Sequence, residues 1–96
     1  MYGLKYGKKY GIMKVGVVLE TSQWLIKVYA PPREHAPPHV HVIEKGSKAE
    51  VKISLVDLSM MGRTRMSQRS VKKIMLYVWQ NHSYLLECWE KLHGQN

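Results

Sequence analysis

The chain has no phenylalanine, a single cysteine and only seven acidic residues. The lone thiol, Cys88, excludes an internal disulfide and a zinc site built on several thiolates. No apolar run approaches the ~20 residues of a membrane helix, so no membrane association is expected. The basic N-terminus is not followed by an apolar stretch with a small-residue cleavage site, so no secretory leader is expected either. A cytoplasmic protein is the plain expectation. With 96 residues there is room for one core and therefore one domain.

What the chain has in excess is positive charge, a net +8. Lys5, Lys8, Lys9 and Lys14 lie in a stretch without acids, and so do Arg63, Arg65, Arg69, Lys72 and Lys73. The remainder sets six bases against seven acids, so the basicity belongs to two segments. Concentrated cationic charge attracts nucleic acid or an acidic protein. Arg63, Arg65, Arg69, Lys72 and Lys73, with Arg33, are the candidate binding residues for such a partner. The ordinary alternative is a solvated lysine face.

Residues 2–11 repeat Tyr-Gly at intervals of four, with lysines between the repeats. A glycine in every repeat opposes a helix, which predicts a flexible basic arm at 1–12 ahead of a domain at 13–96. Met13, Val15, Val17 and Leu19 then alternate, as do Trp24, Ile26 and Val28. Folding about residues 20–23 sets Leu19 opposite Trp24, Val17 opposite Ile26 and Val15 opposite Val28. A second hairpin about Lys45-Gly46-Ser47-Lys48, with Gly46 free to turn left-handed, sets Val42 opposite Val51 and Val40 opposite Ile53. Residues 57–66 read as irregular. Ser67 can cap a helix whose stripe is Val71, Ile74, Met75 and Val78. A break at residues 81–83 precedes a second stripe of Leu85, Leu86, Trp89 and Leu92. The pattern predicts an α+β fold: an antiparallel sheet of about four strands in two hairpins, followed by two C-terminal helices packed on one face. Three tryptophans on so small a chain predict a homo-oligomer, most simply a dimer burying Trp24 or Trp89.

Three of the five histidines fall between Glu34 and His41, around Pro37-Pro38. This run resembles the Glu-His-x-Pro-Pro-His-x-His hallmark of small bacterial proteins classed as domain of unknown function 4160. Glu34, His35, Pro37, Pro38, His39 and His41 all fit, and the likeness extends from about Trp24 to His93. The resemblance implies a small domain without an established activity, encoded beside another small protein in what has been suggested to be a toxin–antitoxin-like pair.

The motif itself allows three chemistries. His39 and His41, two apart on a strand, point the same way, so both could reach one zinc ion with His35 or Glu34 as third ligand. Lys52, opposite His41 in this register, argues against that, and Asp57 and Glu50 are the only carboxylates in view for support. His35, His39 or His41 could instead serve as acid and base in a metal-independent ribonuclease, with Arg33, Arg63 or Arg65 on phosphate. The blander reading is a structural clasp that pins the loop. The expectation drawn is an interaction module without a cofactor, the histidine-dependent nuclease being its alternative. His82 reads as a satisfied core histidine, Cys88 as a packing residue and His93 as solvated.

Overall fold

The structure is a computed structural model and describes residues 16–93. The Tyr/Gly/Lys arm and Val15, expected opposite Val28, lie outside those residues. Strands β1 (Val17–Glu20), β2 (Trp24–Lys27), β3 (His39–Glu44), β4 (Glu50–Ser54) and β5 (Met60–Met61) form one sheet in chain order. Every neighbouring pair is antiparallel. Helices α1 (Gln68–Gln80) and α2 (His82–His93) follow.

Alternation along the strands puts Ile26, Val40, Val42, Val51 and Ile53 into a core shared with Ile74, Val78 and Leu85, each at most 1% exposed. Burying side chains of this size contributes about 1.5–3 kcal/mol each. Ser67 caps α1 as expected, accepting a hydrogen bond from the Ser70 amide at 3.1 Å. Asn81 ends the helix, its amide donating to the Tyr77 and Val78 carbonyls.

The second hairpin keeps the predicted register, with Val42 opposite Val51 and His41 opposite Lys52. The first does not. Leu19 faces Ile26, Glu20 faces Leu25, and an irregularity before Leu19 leaves Val17 facing Lys27. The cause is Thr21, whose hydroxyl accepts from the Gln23 and Trp24 amides while its own amide donates to the Trp24 carbonyl. That closes the turn on Ser22-Gln23, one residue later than alternation alone suggests.

Two further details depart from expectation. In the β3–β4 turn the left-handed residue is Lys48 (φ 66°), not Gly46. The segment after β4 also holds a short strand, β5, reached by a turn of the same build. In the first turn the Lys48 amide donates to Glu44 and the Glu44 amide to Ala49. In the second, Leu58 donates to Ser54 and Ser54 to Ser59, with Leu58 at φ 61°. The Ser54 hydroxyl supports this turn by accepting from the Val56 amide at 3.0 Å.

Trp24 and Trp89, expected at a dimer interface, are 8% and 5% exposed within the single chain, whereas Trp79 is 61% exposed.

Candidate functional site

His39 and His41 alternate with Val40 and Val42 and so leave β3 on the side opposite the valines. Both are nevertheless buried, at 5% and 7% exposure. Tyr29 sets its ring edge-on to His41 at 4.9 Å, and Trp89 of α2 lies 5.2 Å from His39. His93, expected in solvent, stacks flat on Trp89 at 3.6 Å and its Nε2 bonds the Tyr29 carbonyl at 2.6 Å. The last turn of α2 thereby covers the histidine side of the sheet.

The loop between β2 and β3 supplies the third member of the cluster. Its peptide bonds before Pro32 and Pro37 are cis. The Arg33 amide bonds back to the Ala30 carbonyl at 3.1 Å, and the Arg33 guanidinium lies 4.0 Å over the Tyr29 ring. Glu34 then points inward, with Oε1 2.5 Å from His39 Nε2 and 3.4 Å from His41 Nε2. On the far side of each ring another acceptor is in place. His39 Nδ1 donates to the Pro37 carbonyl at 2.8 Å, and His41 Nδ1 donates to Glu50 Oε2 at 2.5 Å. His41 Nε2 is buried and has no hydrogen-bond partner. Burial pushes the Glu34 carboxyl up, but the hydrogen bond from His39 and the positive field of the His39 and His41 rings outweigh it and hold it below the usual carboxylate range.

Of the histidines named in the motif, the structure brings His39 and His41 together and leaves His35 exposed, outside the cluster. Glu34, weighed as the alternative third ligand, occupies that place. Glu50 is the neighbour that the register could have identified. With Lys52 opposite His41, Glu50 falls on the same face one diagonal away, a spacing at which side chains meet. Asp57 instead bonds Ser59, which holds its carboxyl below the usual range. Lys52 itself is exposed. His82 is half-buried and satisfied, its Nε2 2.6 Å from the Leu55 carbonyl. Cys88 packs against the core, and burial pushes its thiol up.

The residues of the basic segment line different hollows. Gly62 turns the chain with φ 77°, and Thr64 donates to the Glu50 carbonyl at 2.6 Å, tying this stretch to β4. Arg63 and Arg65, on either side of Thr64, then line an open groove of about 500 Å³ with Lys48 and Glu50. Lys72 lines a separate methionine-rich hollow with Met60, Met66 and Met75. Lys73 lines a third hollow with Lys45 and Glu44, and Arg69 is exposed on α1. Glu50 therefore borders the groove while its carboxylate holds His41.

Residues 24–90 match the family described as a domain of unknown function (DUF4160). The chain belongs to that family. The matched span contains the whole histidine cluster and the groove, so both are features of the DUF4160 domain in this chain. No curated protein and no solved structure matches it. Among the described residues, no helix is long and apolar enough to cross a membrane.

Proposed function

We propose that this DUF4160 chain is a small nucleic-acid-binding module whose contact surface is the groove of Lys48, Arg63, Thr64 and Arg65. The observation that supports the reading is the state of the three cations. Lys48, Arg63 and Arg65 are exposed on one groove and form no ion pair among the described residues. The carboxylate beside them is engaged with His41. Phosphates carried along a backbone satisfy such a groove without reading sequence.

Binding of a labelled single-stranded RNA and a duplex DNA, followed by fluorescence anisotropy across a salt series, tests this. Binding is expected to weaken steeply with salt. Replacing Lys48, Arg63 and Arg65 together by alanine is expected to flatten the log–log slope by about 2, roughly 0.7–0.9 for each phosphate no longer neutralised. No binding at low salt would refute the proposal and favour an acidic protein partner, as a toxin–antitoxin-like pairing would supply. The histidine-dependent ribonuclease draws on one observation, that Glu50 touches both the groove and His41. It requires RNA cleavage that His41→Gln removes, and RNA recovered intact would dismiss it.

A further inference from the structure

We infer that Glu34, His39 and His41 form a binding site for one divalent transition-metal ion of the zinc class. The inference is independent of nucleic-acid binding and stands on three features of the cluster.

The first is convergence. One ligand atom from each residue lies within 4.8 Å of the other two. Two imidazole nitrogens and one carboxylate oxygen are a donor set that Zn²⁺ accepts, with metal–ligand bonds of about 2.0–2.2 Å. Ligand atoms on a tetrahedron of that size are separated by roughly 3.3–3.6 Å. The His41 Nε2 to Glu34 Oε1 distance is 3.4 Å, already of that order. The His39 Nε2 to Glu34 Oε1 distance is 2.5 Å, so Glu34 must withdraw for an ion to enter. Its side chain is 19% exposed and springs from a loop, which leaves it room to do so.

The second is orientation. A ligating imidazole is held by a hydrogen bond from its other nitrogen to a carbonyl or carboxylate, which fixes the tautomer and leaves a lone pair for the metal. Both rings are held in this way, His39 by the Pro37 carbonyl and His41 by Glu50. In both, Nε2 is the nitrogen turned toward Glu34. An ion seated there takes the place of the proton between His39 and Glu34.

The third is a deficit. His41 Nε2 is buried and unpartnered, in a ring only 7% exposed. An unsatisfied buried polar atom is destabilising, and a metal ion supplies the missing partner. Charge accounting agrees, because the carboxylates of Glu34 and Glu50 offset a dication between two neutral imidazoles. Of the nearby cations, Arg33 lies over the Tyr29 ring, Lys27, opposite His41 on β2, reaches the same ring at 6.0 Å, and Lys52 is exposed. Three protein ligands leave a further position on the ion for water or a substrate atom.

The test is Co²⁺ titration of the full chain, freed of any histidine tag and followed by visible absorption, with Zn²⁺ calorimetry alongside. One ion per chain is expected, with the strong visible bands of four- or five-coordinate cobalt. Glu34→Gln and His41→Gln are expected to abolish those bands. Glu50→Gln, which alters only the group holding His41, is expected to weaken affinity about 10–100-fold. His35→Gln is expected to leave the titration unchanged. Where His41→Gln fails to fold, Glu34→Gln carries the test alone, since its side chain reaches the cluster from a loop. Unchanged bands in Glu34→Gln, or no saturable binding to wild type, would overturn the assignment.

Discussion

At His41 the ring is enclosed, and carboxylates stand beside both of its nitrogens. At Arg63 and Arg65, across Glu50, the charges are exposed and form no ion pair among the described residues. The first arrangement is characteristic of groups whose geometry matters, because partners on several sides fix a side chain before any ligand arrives. The second suits a ligand that need only carry charge. A family signature and a basic run can thus sit next to each other in space and still serve different ends. What separates them physically is whether the chain encloses their charges or leaves them to solvent.

Stability measurements can break that contrast. His39→Ala removes bonds to Glu34 and the Pro37 carbonyl together with the packing against Trp89. Loss of a buried, hydrogen-bonded group is expected to cost about 1–3 kcal/mol in urea unfolding. Arg63→Ala and Arg65→Ala are expected to stay within about 0.5 kcal/mol of wild type. A His39→Ala protein as stable as the arginine variants would erase the distinction.

The turns sharpen the contrast at a smaller scale. Lys48 and Leu58 adopt left-handed backbone, which disfavours side chains by roughly 1 kcal/mol. Lys48→Gly and Leu58→Gly are each expected to change stability by no more than about 1 kcal/mol, Lys48→Gly in the stabilising direction. Only Lys48→Gly is expected also to weaken polyanion binding. Thermal melts and anisotropy read the two effects separately.

The smallest effect expected is one of pH. Hydrogen bonds from the Ser47 and Ser70 hydroxyls hold the Glu44 carboxyl below its ordinary range. A carboxyl lowered in the folded state adds stability above its unfolded pKa, and that stability is lost as pH falls through the folded value. Glu44→Gln is therefore expected to flatten the acid limb of the stability–pH curve below the ordinary carboxylate range. The groove variants are expected to leave that limb unchanged.

The second hairpin and both helices were legible because each depends on a local period: valines two apart, a capping serine, apolar residues three and four apart. The first hairpin was legible as an antiparallel pair but not in its register, because a threonine side chain overrode the alternation by closing the turn on its own hydroxyl. Strand β5 was hidden for a similar reason, since its register is set by Ser54 and a left-handed leucine. At the site, the register gave His39, His41 and, read one diagonal further, Glu50. It could not give the return of Glu34 or the burial of His93. Those depend on the path of a proline-rich loop and on where the end of a helix lands.

The turn at residues 45–48, between β3 and β4, acts as a parity device. In a pleated ladder, whether a residue faces up or down is an odd-or-even count from the last fixed pair. One residue added between Glu44 and Ala49 changes the count for everything that follows in β4. Unless the connection itself absorbs the extra residue, the strand has to slide to keep its valines in the core, and Glu50 no longer meets His41. Changes of even length, or changes confined to a terminus, leave the count intact. Length variation of odd number among relatives is therefore expected to spare this connection wherever they retain the His41–Glu50 pair.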